Sequence, residues 1–349
     1  MLDYIIVGSG LAGISFSERL LESNKTFCVF NTPGNASTKV AAGLYNSVIL
    51  KRFNLVWKAQ EQINALPQFY ANIEQKTKAK LDYSLEVRKR FTSIEDQNEW
   101  FVAADKQKLA SFLDAQIIAN SNKSINAPFG FGKVLQTGYV DVALLYDVYQ
   151  EYLANLGLFT NEAFDYSSLT MHLDGFEYKG IKAKNIVFAE GFGLHQNPFF
   201  NFLPLDGTKG ELLKIHAPDL KLDYCLNSSL FILPIGNDNY KVAATYNWTD
   251  KDSLPTEEGK KELLDKLNAI INCDYTVLEH LAGVRPTVLD RRPLVGEHPI
   301  HKSMYVLNGL GTRGVMLGPY LAQLLFDCIE NKSDLDPQVD IVRFKEKYF

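Results

Sequence analysis

A chain of 349 residues exceeds what one hydrophobic core usually organises and predicts about two domains. With 46% hydrophobic and 22% charged residues it has the composition of an ordinary globular protein, and a net charge of −5 gives it no basic footprint for nucleic acid. No uninterrupted apolar run approaches the roughly 20 residues of a membrane span, and Cys28, Cys225, Cys273 and Cys328, with no CxxC pair, read as reduced, packed thiols of a cytoplasmic protein.

The first element in chain order is Asp3 to Leu20, DYIIVGSGLAGISFSERL. Tyr4 to Val7 reads as a short buried strand, Gly8-Ser9-Gly10-Leu11-Ala12-Gly13 as a turn, and the remainder as a helix opening from it. A dinucleotide needs that order. Gly8 permits the tight turn, Gly10 lets a pyrophosphate approach the backbone, and Gly13 lets helix and strand pack closely. The phosphates are then expected on the N–H groups and positive dipole end of the helix, at Gly10, Leu11 and Ala12. The run is not read as a secretory signal, because its early charge is Asp3 where a signal carries Lys or Arg.

Lys25 to Asn31 (KTFCVFN) reads as a second buried strand and completes a βαβ unit. An acidic residue at its end normally holds the adenosine ribose hydroxyls, and here that position is Asn31, which accepts from a hydroxyl without a carboxylate's charge-assisted strength. The alternative, that Asn31 and Lys39 make room for the 2′-phosphate of NADP, lacks the Arg that would follow the strand. Next, Asn35 to Asn46 (NASTKVAAGLYN) packs small residues around Gly43, so that a flat, bulky group can lie against the backbone.

At this loop the sequence resembles the flavoenzymes related to D-amino-acid oxidase, glycine oxidase and sarcosine oxidase. Those proteins carry a similar Ser/Thr then Ala-Gly-hydrophobic loop against the flavin, which implies contacts from Ser37, Thr38, Ala42, Gly43 and Leu44. Leu50 to Lys78 reads as helical until Pro67 interrupts or restarts the pattern. From Tyr83 to Asn126, short β-like runs (SLEVRKRFTSI, EWFVAA) and a charged helical piece suggest a substrate-facing layer. Gly138-Tyr139-Val140-Asp141 is similar to the family's re-entry into its nucleotide domain. A helix (Val142 to Leu156) and a strand ending near Phe164 follow, and the resemblance implies that the Phe164 backbone touches the adenine. Ala189-Glu190-Gly191 is similar to the family's Ala-x-Gly near the pyrophosphate, which implies contacts from Ala189 and Gly191. Pro204 to Leu213 and Phe231 to Trp248, turning at Gly236 to Asn239, read as the hairpin material of a substrate sheet. Thr256 to Ile271 is a solvated amphipathic helix.

Gly283 to Pro319 resembles the family's closing pattern through Gly283, Arg285, Pro286, Asp290, Pro293 and Gly296, followed by Gly309-Leu310-Gly311-Thr312-Arg313-Gly314. The last turn opens a helix whose N–H groups, from Gly311 and Thr312 through Gly314, Val315 and Met316, would face the negative charge of a reduced flavin. Arg285, and Arg313 beside that turn, are the implied holders of a substrate carboxylate, a role suited to a planar guanidinium. The alternative is that either arginine pairs with Asp290 or Glu297. Tyr246, after the Ala-Ala-Thr strand, is placed to face the flavin and bond a carboxylate, or else fills a sheet. The turn lacks the histidine-containing glycine motif of the best-known amine oxidases. It resembles instead, over a few residues, the flavin domain of an enzyme that trims transfer-RNA wobble uridine. The six histidines fall outside any metal spacing, and no metal is expected.

Taken together, the expectation is an α/β protein with a Rossmann-like FAD-binding domain (1–82, 137–200 and 284–349). A discontinuous α+β substrate domain (83–136 and 201–283) would contain a mostly antiparallel sheet. The implied activity is oxidation of the C–N bond of a small amine or amino acid by hydride transfer to FAD. The alternatives are an FAD-dependent dehydrogenase of a hydroxy acid or other small substrate using a non-oxygen acceptor, or a non-catalytic flavin-binding protein. The expected partner is the small-molecule substrate alone, and the sequence does not decide oligomeric state.

Overall fold

The structure, a computed structural model, describes residues 1–34 and 36–348. Asn35, where the small-residue loop begins, lies outside the described residues.

Strand β1 (Leu2–Val7) buries Tyr4 through Val7 consecutively, the pattern of a strand covered on both faces. It pairs in parallel with β2 (Phe27–Phe30) on one side and with the strand Ile181–Phe188 on the other. Phe159–Thr160 extends the parallel set beyond β2, and Met304–Asn308 extends it beyond Phe188. Antiparallel additions, Gly175–Tyr178 with Leu169–His172 and Leu294–Glu297, complete an eight-stranded sheet.

Val7, Phe30, Phe188 and Asn308 therefore end at one edge, where ligands of open α/β sheets bind. Helix α1 (Leu11–Glu22) and the helix Gly314–Asn331 both start there. They pack face to face, close enough that a Cβ on Gly318 would lie 2.5 Å from Ser15 Oγ. This contact brings two positive helix ends to the same side of the sheet.

The second eight-stranded sheet runs in the order Thr276–Arg285, Thr208–His216, Asn239–Ala243, Phe231–Pro234, Cys225–Asn227, Val87–Arg90, Phe131–Val134, Leu113–Ile118. All its ladders are antiparallel except that between Cys225–Asn227 and Val87–Arg90. One face packs Leu213, Ile215, Ile232 and Val242 with Leu263 and Leu267 of the helix Glu257–Asn268. The strand Thr276–Arg285 runs unbroken past the expected boundary at 283 and delivers Arg285 at its end.

Local expectations fail where tertiary packing decides. EWFVAA is not a strand: it lies in the helix Ile94–Ala104, capped by Ser93, whose side chain accepts from the Asp96 N–H. The helical register buries Trp100, Ala103 and Ala104 together, which alternation would not do. Residues 50–58 are turns and a short strand pairing Val48–Ile49 with Asn54–Leu55, and the helix Ala59–Thr77 runs through Pro67 without a break. Burial of Leu66, Tyr70 and Ile73, with Tyr70 Oη donating to Val315 O at 2.8 Å, offsets the hydrogen bond that Pro67 removes. The strand before Phe164 ends earlier, at Thr160.

Candidate functional site

A cavity of about 580 Å³ opens where the parallel strand ends meet the antiparallel sheet, within the range of small-molecule sites. Gly8 takes φ of +102°, a left-handed conformation that costs glycine nothing, and a Cβ there would lie 2.5 Å from Ala189 O. A Cβ on Gly13 would collide with the Gly8 carbonyl, so turn and helix close on each other. Leu11 N–H donates to Thr38 Oγ1 at 3.3 Å, tying the mouth of α1 to the segment Ser37–Val40. The first N–H groups of α1 have no intrahelical acceptors, and the helix carries no acidic residue in its first turn to compete for them. An anion fits this cradle.

Asn31 shows why an amide replaces the expected acid. Its Oδ1 accepts from Ser9 N–H at 3.3 Å, which orients the group. Its Nδ2 then faces Thr32 O, Tyr146 Oη and Asn161 Oδ1 at 3.2, 3.2 and 3.4 Å. A carboxylate has nothing to donate there and would meet two acceptor oxygens.

Ser37, Thr38, Ala42, Gly43 and Leu44 line the cavity with Gly8, Gly10, Leu11, Ala12 and Asn31, as do Ala189 and Gly191. From the closing turn, Gly311, Thr312, Gly314 and Val315 line it too. Gly13 and Met316 lie behind this surface: Gly13 packs on Gly8, and Met316 is in the core. Phe164 is not part of the lining either, and its ring stacks on Tyr178 with centroids 4.1 Å apart.

Arg285 and Tyr246 line the cavity from the antiparallel sheet. The Arg285 guanidinium lies over the Tyr246 ring, 4.6 Å from its centroid, and Nη1 donates to Thr245 O at 3.3 Å. Gly210, on the neighbouring strand, leaves the room it occupies, since any Cβ there would overlap the guanidinium. Burial depresses the pKa of Arg285, opposed by Tyr246, and the same holds for Arg313. The pairings with Asp290 or Glu297 do not form: Asp290 bonds Arg343 at 2.9 Å, and Glu297 bonds Lys302 at 3.0 Å. Arg313 itself stands next to the lining, between Thr312 and Gly314.

Four features of the cavity were not read from the sequence. The loop carrying Tyr246, Lys251 and Ser253 is pinned by buried Lys209, which pairs with Asp250 and with Asp252 at 2.6 Å. Lys251 Nζ bonds Asp206 Oδ1 at 3.1 Å and Gly207 O at 2.8 Å. Lys241 Nζ reaches Ala41 O at 3.4 Å, joining the antiparallel sheet to the small-residue loop. Glu190 is a buried carboxyl in the lining whose pKa burial pushes up to about 7, against hydrogen bonds from Asn197 Nδ2 at 2.7 Å and from Tyr166 Oη. Charge alternation in DKD at 250–252 was the available signal for the loop, and the acidic x of Ala-x-Gly for Glu190. Among the described residues no group of three or more His, Cys, Asp or Glu side chains could hold a metal ion, and no helix is long and apolar enough to cross a membrane.

Residues 3–328 match the family described as DAO, FAD dependent oxidoreductase. Glycine oxidase of Bacillus subtilis (strain 168) is 24% identical over 361 residues, covering 95% of this chain and 93% of that protein. The tRNA 5-methylaminomethyl-2-thiouridine biosynthesis bifunctional protein MnmC of Marinobacter nauticus is 28% identical over 167 residues, which cover 43% of this chain and only 26% of that longer protein. The crystal structure of glycine oxidase from Bacillus cereus ATCC 14579 superposes with a TM-score of 0.79 at 20% identity, covering 96% of each chain.

Proposed function

This chain belongs to the DAO family of FAD-dependent oxidoreductases, and from that premise we propose that it oxidises the C–N bond of a small amine that carries a carboxylate. The observation that carries the reading is Arg285: a half-buried guanidinium lining the cavity, stacked on Tyr246, with no carboxylate of the protein within ion-pair distance among the described residues. A partly desolvated, unpaired charge of this kind is costly unless a ligand pairs with it.

FAD fits the cavity, because the Cβ-excluding turn Gly8 to Gly13 suits a diphosphate and the flat Ala42-Gly43 wall suits a ring. When bound, FAD supplies the two-electron acceptor for the substrate's hydride. We propose that Gly10, Leu11 and Ala12 hold the diphosphate and that Asn31, with Tyr146, orders the adenosine ribose. Ser37, Thr38, Ala42, Gly43 and Leu44 would support the ring system, with Ala189 and Gly191 beside the diphosphate. Gly311, Thr312, Gly314 and Val315 would present the positive helix end to the ring's carbonyl edge. In this arrangement Arg285 grips the carboxylate in the plane of its fork, and Tyr246 covers the other face of the guanidinium. That grip fixes the substrate's α-carbon, supplying orientation. The positive charge of Arg285 also disfavours an ammonium beside it, so the pocket selects the neutral amine whose lone pair assists hydride loss. Water then hydrolyses the released imine.

Glycine oxidase over nearly its whole length is the relative that supports an amine substrate. The test is anaerobic mixing of the FAD-loaded protein with amino acids, N-alkyl amino acids and the matching hydroxy acids, followed by air. Bleaching by an amine and not by its hydroxy acid supports the reading. Bleaching by hydroxy acids alone, or by neither, overturns it. Rapid recolouring in air separates an oxidase from a dehydrogenase.

A further inference from the structure

Arg313 raises a second question of the same kind. It precedes the helix Gly314–Asn331 and is half-buried, yet its guanidinium has no hydrogen bond or ion pair with any described residue. The carboxyl groups of the cavity wall are committed elsewhere. Glu190 is bonded by Tyr166 and Asn197. Glu211 accepts from His280 Nε2 at 2.7 Å and from Thr256 N–H and Oγ1 at 3.0 and 2.8 Å. Asp206, outside the lining, holds the lining residue Lys251. The site thus keeps an unneutralised charge at Arg285 and another at Arg313.

One carboxylate has two oxygens, and a single guanidinium fork satisfies both with parallel hydrogen bonds. If Arg285 takes the substrate carboxylate from within the cavity, Arg313 is left over. It differs from Arg285 in position, standing beside the lining next to exposed Thr312. Tyr246, 59% exposed, lines the cavity and acts electrostatically on both arginines. A ligand held on Arg285 against Tyr246 therefore has Arg313 as the other unpaired guanidinium on which Tyr246 acts.

We propose that the substrate amine is dianionic, with its reacting carboxylate on Arg285 and a second anionic group, carboxylate or phosphate, on Arg313. This rests on the amine-oxidation reading for the identity of the reacting end only. Glycine-like substrates with a single carboxylate would leave Arg313 desolvated and unpaired, so they bind weakly.

Binding can be read without turnover, from the shift of the flavin absorption band of the FAD-loaded protein on titration. The probes are glycolate, oxydiacetate and phosphoglycolate. At least one of the two dianions should bind about tenfold or more tightly than glycolate, the value of one additional charge-assisted contact. Which of them binds better identifies the second group. In Arg313→Gln that advantage should fall below about twofold, and Arg313→Lys, which keeps the charge but not the fork, should retain part of it. Equal binding of glycolate and both dianions overturns the proposal, as does an advantage that survives in Arg313→Gln, or no shift with any probe. Failure of the amine reading looks different: the dianion preference persists while no amine bleaches the flavin. Conversely, bleaching by glycine and sarcosine as readily as by iminodiacetate and aspartate keeps amine oxidation and removes the second subsite.

Discussion

Replacing Arg285 by Gln separates a ligand-binding guanidinium from a structural one. Within the protein the group gains one hydrogen bond, to Thr245 O at 3.3 Å, and the face of Tyr246, while it bears the cost of burial. Losing those contacts and that cost together should leave stability nearly unchanged or slightly raised, because no carboxylate is orphaned. For the substrate the balance is different. Two charge-assisted hydrogen bonds at about 1.5–3 kcal/mol each give a loss of about 3–6 kcal/mol, roughly 10²–10⁴-fold in kcat/KM. The assay pairs the anaerobic flavin-reduction rate over a substrate series with the midpoint of thermal unfolding of the same holoprotein. Arg285→Lys should recover part of the rate, since it restores charge without the fork. A melting midpoint lowered by many degrees alongside an unchanged reduction rate would refute the reasoning and make Arg285 a structural residue.

Other outcomes follow from the same geometry. Asn31→Asp, which introduces the acid expected at this position, should weaken FAD binding and lower the melting midpoint by an amount worth about 1–3 kcal/mol, because Thr32 O and Asn161 Oδ1 lose their donor. Tighter FAD binding in that variant would contradict the account of the amide. Gly8→Ala forces a side chain into φ of +102° against Ala189 O, and the protein should purify with little or no flavin. Glu190 has its pKa raised from 4.5 to about 7 by burial, so the folded state binds the extra proton between those values and stability falls as pH rises through that window. The melting midpoint should therefore drop from pH 5 to 7.5, and Glu190→Gln should flatten that part of the profile. An unaltered slope would show that another group titrates.

Legibility from sequence followed the range of the interactions. The turn Gly8 to Gly13 is a local device: strand, glycines and helix are contiguous, so their spacing already states the geometry. Arg285 was singled out by the resemblance of Gly283 to Pro286 to a family motif, and the structure adds that it ends the strand Thr276–Arg285 in space that Gly210 of a different strand leaves for it. Asn31 reads as a weak substitute for an acid in the sequence, whereas in the structure Thr32 O and Asn161 Oδ1 face it as acceptors that need a donor. EWFVAA and Pro67 were misjudged because a local pattern was ambiguous and burial of Trp100 and Tyr70 settled it. The latch of Lys209 on Asp250 and Asp252 joins residues about forty apart, a pairing no local periodicity encodes. Phe164 was placed by resemblance as a backbone contact, which the stacking of its ring on Tyr178 does not decide.

The central claim is tested most directly by a single turnover without oxygen, counting the carbonyl product released per flavin bleached by a carboxylate-bearing amine. The account predicts one oxo acid and one amine or ammonia per flavin, with the yield intact but the rate greatly reduced in Arg285→Gln. Flavin that stays oxidised with every such amine, or that is bleached equally by the matching hydroxy acids, would contradict it.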